Sequence, residues 1–166
     1  PYGTVAIVTK KNSVESGTNY AQGGIAAVMA PEDSFALHVR DTLVAGDGLC
    51  HEDVVKLVVQ EGPERISELI AWRVPFTRGK HHGKISFDLG REGGHSMRRI
   101  LHCKDLTGRE VERILLKKVE ADPNIRIFEN HICIDLITSK KLGLKNAGKT
   151  ACYGVYVLDN TTHDIN

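Results

Sequence analysis

The run Thr4–Thr9, TVAIVT, constrains the fold most. It is apolar and β-branched, which predicts a buried parallel strand. Further along, Ile125–Phe128 reads as a strand, and Ile132–Thr138 and Tyr153–Asp159 as two more. Between the first strand and the later ones the apolar period changes from continuous to helical.

Phe35, Val39 and Leu43 mark a helix over Ser34–Ala45, which Gly46-Asp47-Gly48 interrupts. His51–Gln60 reads as a second helix with Val54, Leu57 and Val58 on one face. Gly62-Pro63 is expected to end it and to start a third, since proline suits a first helical position. Ile66, Leu69 and Ile70 give that third helix its apolar face, and Val74-Pro75 stops it because a residue before proline avoids the α region. Thr77–Gly94 is rich in glycine and charge, a loop or a small hairpin. Thr107-Gly-Arg-Glu110 reads as a capping box ahead of the stripe Val111, Ile114, Leu115 and Val119. Ser139–Lys149 is a Lys- and Gly-rich loop. Strand, helices, strand and then an antiparallel appendage make an α/β chain.

Two segments do not read as core. In Thr18–Val28, TNYAQGGIAAV, Gly23 and Gly24 lack side chains, so a flat ligand can approach the main chain closely. Ser16, Thr18, Asn19 and Gln22 surround them with hydrogen-bonding groups. Tight packing is the competing reading of the glycine pair, and Tyr20–Ala30 fits a short helix or a closely packed loop. In Arg91–Gly108, REGGHSMRRILHCKDLTG, a carboxylate (Glu92) stands among Arg91, His95, Arg98 and Arg99. If these converge they suit a dicarboxylate or a phosphate, with Glu92 free to pair with an ammonium group. The alternative is a solvated surface glutamate and an inward arginine held by a backbone carbonyl or Asp105. Lys10 closes the first strand at the end where doubly wound folds place their ligand crevice, and a phosphate there is weighed against a plain surface lysine.

Other chemistries find little support. Net charge is +1, from 22 basic and 21 acidic residues, with no basic run of the kind nucleic-acid proteins carry. No apolar run approaches the ~20 residues of a membrane-spanning helix. The first residues already alternate like a strand, so no secretory signal is read and a cytoplasmic location is expected. Cys50, Cys103, Cys133 and Cys152 are scattered without a C-x-x-C pair, which predicts reduced, mostly buried thiols and no zinc site. His81-His82 with His95 is a weak metal set, and Cys103 beside His102 a weak nucleophile. His51 sits at a helix start that Asp47 or Asp53 can cap. No G-x-G-x-x-G motif occurs.

Taken in order, TNYAQGGIAAV, HVRDTLVAGDGLCHEDVV, VQEGPERISELI, REGGHSMRRILHCKDLTGRE and DPNIRIFENHICIDLI resemble the L-aspartate oxidase branch of the succinate dehydrogenase/fumarate reductase flavoprotein family, over about Ile7 to Leu136. GLCHEDVV favours that branch over its relatives. The resemblance implies an incomplete FAD/NAD(P)-binding, Rossmann-like α/β domain over residues 1–166, with a helical insertion and an antiparallel hairpin or meander near the C-terminus. Its first β-α unit, with the Gly-rich loop, and its capping domain would be absent. It implies FAD-dependent oxidation of L-aspartate to iminoaspartate on the route to quinolinate and NAD, oxygen or fumarate as electron acceptor, and quinolinate synthase as a pathway partner. Lys10 matches a residue near the adenosine side of FAD. Gly17, Thr18, Asn19, Tyr20, Ala21, Gln22, Gly23 and Gly24 match the flavin-contacting loop, and Ile132 and Cys133 a later backbone contact. Glu92 matches the carboxylate that orients the substrate's amino group. Relatives that tether FAD covalently use a His where Gly17 stands here, so FAD is expected to be non-covalent. The rival expectations are a flavoprotein acting on another dicarboxylate and a non-enzymatic α/β binding module.

Overall fold

Eight strands and three helices follow the chain in the computed structural model, which describes residues 3–81, 84–144 and 149–166. They fall into two compact units, one of Pro1–Glu15 with Leu116–Asn166 and the other of Ser16–Leu115.

In the first unit β1 (Val5–Val8) pairs in parallel with β6 (Ile125–Phe128), Val5 opposite Ile125 and Val8 opposite Phe128. The parallel pairing is as expected, but the burial is not. Val5, Ala6 and Ile7 are exposed, because among the described residues β6 is the only strand paired with β1 and no layer covers its faces. β7 (His131–Thr138) and β8 (Cys152–Asp159) pair antiparallel, with a register shift between Cys133 and Asp135 that leaves Ile134 without a strand partner. Cys133 and Cys152 lie exposed on this ribbon, so the expectation of mostly buried thiols fails for half of the cysteines; none of the four forms a disulfide. Part of the Ser139–Lys149 loop lies outside the described residues.

The second unit holds the core: Ala27, Ile66, Val74, Phe76, Leu101, Cys103 and Val111, with Leu69, Ile70 and Ile114 packed against it. α1 (Phe35–Ala45) starts where Ser34, in extended conformation, accepts a hydrogen bond from the Leu37 amide at 3.2 Å. Its buried residue is His38, not the Phe35 stripe; Phe35 stays exposed because the helix turns its polar side to the interior charges described below.

The break expected at Gly62-Pro63 is absent. α2 runs unbroken over Glu52–Ala71 with Pro63 inside it. Proline removes one donor, but Val59 and Ile66 are buried on either side of it, and seven residues is two helical turns on one face. Continuous burial outweighs the lost bond. Gly62 belongs to the same contact, since a Cβ there would meet Ala27 at 3.7 Å. Val54, Leu57 and Val58, expected inward, are exposed.

β2 (Ile25–Ala26) pairs antiparallel with β5 (Ile100–Leu101), a short ladder the sequence did not announce, inside the stretch read as helix or loop. β3 (Arg78–His81) and β4 (Lys84–Phe87) form an antiparallel pair within the predicted hairpin region. α3 (Thr107–Ala121) begins in the second unit and ends in the first. Val111 is buried and Ile114 and Leu115 pack on the core, as their spacing predicts.

Candidate functional site

The Gly17–Gly24 loop is mostly exposed, yet it is pinned from beneath by the start of α3. The Thr107 hydroxyl donates to the Gly23 carbonyl at 2.8 Å and accepts from the Cys103 amide at 2.9 Å. The Gly108 amide donates to the Ala21 carbonyl at 2.9 Å. Gly108 must be glycine: a Cβ would run into the Thr18 carbonyl and into Ala21. The capping box expected at Thr107–Glu110 is therefore not what forms. Thr107 is already helical and spends its hydroxyl on the loop, while Glu110 pairs with Arg113 at 2.7 Å. That pairing draws the Glu110 carboxyl below its usual range. Ser16 is likewise turned inward, donating to Glu112 and accepting from the Asn19 amide at 3.2 Å, so it does not line the open side as expected.

The two adjacent glycines have different reasons. A side chain at Gly24 would collide with Ile100 and the Leu101 carbonyl, so this glycine serves the β2–β5 ladder. The nearest atoms that a Cβ on Gly23 would meet belong to the Glu92 carboxylate, with Oε1 at 3.3 Å. Gly23 is thus an exposed stretch of bare main chain with a carboxylate beside it, and the structure brings these two expected site residues together.

Glu92 opens a tight turn in which the His95 amide donates to the Glu92 carbonyl at 3.2 Å and Gly94 takes φ 83°. Asp41 on α1 holds the end of this turn, accepting from the Ser96 amide at 2.8 Å and the Ser96 hydroxyl at 2.7 Å. Arg99, fully buried, donates to the same Asp41 at 2.6 Å and forms a bidentate pair with Asp33 at 2.8 Å for each bond. Arg99 is thus the inward arginine anticipated as one alternative, but its partners are Asp33 and Asp41 rather than Asp105, and it is spent on structure. Burial alone would push the Asp41 carboxyl up; the Ser96 and Arg99 bonds outweigh it and hold the group at about 2. His95 Nδ1 lies 3.2 Å from Arg99 Nη1. A guanidinium only donates, so in this contact Nδ1 is the acceptor. His38, behind it with ring centroids 5.7 Å apart, is kept neutral by burial and by the Arg99 charge.

Arg91 and Arg98 are exposed. They border a cleft of about 540 Å³ together with Met29, Pro31, Phe87 and Leu89. Arg98 also donates to the Leu89 carbonyl at 3.3 Å. Arg91, His95, Arg98 and Arg99 therefore do not converge on one point.

Lys10, Ile132 and Cys133 belong to the first unit. The Thr9 carbonyl accepts from the His131 amide at 3.0 Å and the Lys11 carbonyl from the Asn130 amide at 3.3 Å, so the end of β1 carrying Lys10 abuts the start of β7. Lys10 and Cys133 are exposed and Ile132 half-buried.

His51 holds the α2 cap position without a side-chain bond, and neither Asp47 nor Asp53 caps it; Asp47 instead takes φ 44° in the turn before. The Cys103 thiol is pushed up by burial, with Glu110 adding to it, which makes it a poorer nucleophile. His82 of the metal set considered above lies outside the described residues. Among those described, no group of three His, Cys, Asp or Glu side chains is placed to hold a metal ion. No helix among them is long and apolar enough to cross a membrane.

The family model described as FAD binding domain matches residues 2–165. The chain belongs to the FAD-binding domain family. FAD is that family's cofactor, and the exposed main chain at Gly23 is a cradle that a Cβ would fill, so the residues present fit a flat ring. This FAD-binding domain is 51% identical over 163 residues to a chloroplastic L-aspartate oxidase of Arabidopsis thaliana, covering 98% of this chain and 24% of the relative. It is 45% identical to L-aspartate oxidase 1 of Ralstonia nicotianae, covering 97% and 30%. Among solved structures it resembles an E. coli quinol fumarate reductase with a TM-score of 0.83 at 29% identity, over 96% of this chain and 25% of that one. Sdh1 of Mycobacterium smegmatis follows with 0.78 at 31%, over 93% and 27%. The chain is a mixed α/β fold like the corresponding part of those proteins, and it spans roughly a quarter of their length.

Proposed function

We propose that this chain is one segment, a partial FAD-binding domain of Rossmann-like plan, of a longer flavoenzyme that oxidises L-aspartate to iminoaspartate. The observation carrying this reading is the Glu92 carboxylate lying against the bare main chain of Gly23. When bound, FAD supplies the two-electron chemistry. The residues here bind and orient. The Gly17–Gly24 loop lies along the flavin, with Gly23 allowing close approach. Lys10 faces the adenosine side, and the main chain of Ile132 and Cys133 contributes a further contact. Gly17 offers no atom for a covalent tether, so FAD is held non-covalently. Glu92 pairs with the substrate ammonium and turns the Cα–H bond toward the ring. A carboxylate in that place pairs with an ammonium that succinate lacks, which selects aspartate over succinate. Oxygen or fumarate takes the electrons, and a quinolinate-forming partner consumes the product.

Likeness to the fumarate reductase fold supports a second reading, in which the substrate is a dicarboxylate without an amine. Anaerobic reduction of the intact flavoprotein by aspartate and by succinate separates the two. The proposal expects flavin bleaching with aspartate and at least a tenfold drop in kcat/KM in Glu92→Gln; bleaching by succinate alone overturns it. Titrating the isolated 166-residue chain with FAD tests the segment claim: weak or no binding is expected, and tight binding with amine-dependent bleaching would show that nothing outside the chain is needed.

A further inference from the structure

We propose that Asp41 is a positioning residue for Glu92, fixing through Ser96 and Arg99 the turn that aims the Glu92 carboxylate at the substrate ammonium. The inference rests on the reading of Glu92 given above.

Among the described residues nothing donates a hydrogen bond to the Glu92 carboxylate, and the side chain is exposed. With no such bond to fix it, the region its carboxylate can reach is set by the position of the main chain that carries it. That main chain is the turn closed by the His95 amide on the Glu92 carbonyl at 3.2 Å. A four-residue turn with one long bond and a glycine at φ 83° does not hold its shape unaided. Its support comes from α1. Asp41 Oδ2 collects three donors, the Ser96 amide at 2.8 Å, the Ser96 hydroxyl at 2.7 Å and Arg99 Nη1 at 2.6 Å. The cation is itself immovable, fully buried and locked in two bonds to Asp33. Arg99 reaches the turn a second time at His95 Nδ1, 3.2 Å away. Ala45, one turn along α1 from Asp41, lies against Gly94, where an added Cβ would stand 3.3 Å from its own. A rigid helix and a buried ion pair thus back Gly94, His95 and Ser96, while Glu92 remains open on the other side.

Asparagine at position 41 keeps the size and an oxygen for the three donors, but it removes the negative charge that strengthens the bonds from Ser96 and Arg99. The effect sought is on the amine alone. In the intact flavoprotein, D41N should raise KM for aspartate about tenfold while leaving the competitive inhibition constant of succinate, which has no ammonium, within twofold. Hydrogen exchange at the Ser96 amide should quicken in the same variant. E92Q should show the same split, and the double variant D41N/E92Q should be no worse than E92Q alone, because both act on one contact. Ser96→Ala removes one of the three donors at an exposed site; it should shift the same ratio at least twofold, without adding to E92Q, and it carries the test if D41N does not fold. Equal losses for aspartate and succinate, or effects of D41N and E92Q that add, overturn the proposal and leave Asp41 a stabilising residue only. An E92Q enzyme with an unchanged aspartate-to-succinate ratio overturns the reading of Glu92 itself. A selective E92Q beside a non-selective D41N and S96A overturns only the role given to Asp41.

Discussion

The two units of this chain are held in opposite ways. Ser16–Leu115 closes around an apolar core and, beside it, a buried cation shared by two carboxylates. The unit built from both chain ends relies on strand ladders and leaves large side chains in solvent: Val5, Phe128, Ile134, Leu136 and Tyr156 are all exposed. In the first case the buried Arg99 is held in a bidentate pair with Asp33 and a further bond to Asp41, so the geometry these groups set is rigid. In the second the apolar groups are half-wet and the geometry depends on main-chain bonds. The contrast places Glu92 and Gly23 in the more stringently built unit. It also predicts that equal-sized substitutions will have very unequal effects in the two units.

The sharpest break comes at Arg99. Arg99→Met keeps the volume but strands the Asp33 and Asp41 charges, and should destabilise the Ser16–Leu115 unit by about 3–5 kcal/mol, read by urea unfolding. Lysine should not rescue it, because one ammonium cannot serve a bidentate partner and a second carboxylate together. A loss under about 1 kcal/mol would mean that the apolar core alone holds this unit.

Acid should attack the same network next. Asp41 is held at about 2, below its ordinary value. Its protonation therefore opposes the folded state. The stability it contributes is complete above about pH 4, shrinks as pH falls toward 2, and is on the order of 2 kcal/mol at a little under 1.4 kcal/mol per unit. His38 is lowered by burial and by Arg99, so it too resists charging, and its contribution starts to fade as pH drops through the usual histidine range near ~6.5. Stability against pH, followed for the native chain and D41N, should show the native curve falling more steeply below pH 4. Parallel curves would deny the clamp.

A smaller effect is expected at Thr107. Thr107→Ala leaves the Cys103 amide and the Gly23 carbonyl without this hydroxyl. The expected loss is about 1–2 kcal/mol, with faster exchange at Ala21-to-Gly24 amides. Thr107→Ser should restore most of it. If alanine and serine behave alike, the loop is held by the Gly108 amide rather than by the hydroxyl.

Much of this contrast was readable in the chain and its decisive part was not. Ser34 before an apolar period fixes the start of α1, and β-branched runs mark β1 and β6, because those signals are local. The Arg99 clamp is invisible for the opposite reason: its partners lie 66 and 58 residues away, and Asp33 and Asp41 look like ordinary acids of a helix start and a helix face. Pro63 misleads because propensity is a few kcal/mol at most and the burial of Val59 and Ile66 overrides it. Thr107 misleads because a hydroxyl ahead of a Gly and an acid suits a cap and a loop clamp equally well. Gly23 and Gly24 are identical in sequence, and only the neighbours Glu92 and Ile100 separate an open approach from a packing constraint.

The mildest prediction tests the other side of the comparison. Ile134 falls in the register shift of β7, has no residue opposite it on β8, and is 50% exposed, whereas Ile66 in the second unit is 1% exposed. Removing apolar surface that is already half in water forfeits little transfer energy and creates no cavity. Ile134→Thr keeps the β-branch that suits a strand, so unfolding should shift by no more than about 0.5 kcal/mol. Solubility should respond instead. β1 has one ladder partner among the described residues, and exposed Val5, Ile7, Ile134 and Leu136 offer apolar contact next to main-chain edges. Sedimentation of the isolated chain should show less self-association in Ile134→Thr than in the parent sequence. A stability loss near that of a core isoleucine, about 2 kcal/mol or more, would mean that this face is packed in solution and that the two units are held more alike than their exposed surfaces indicate.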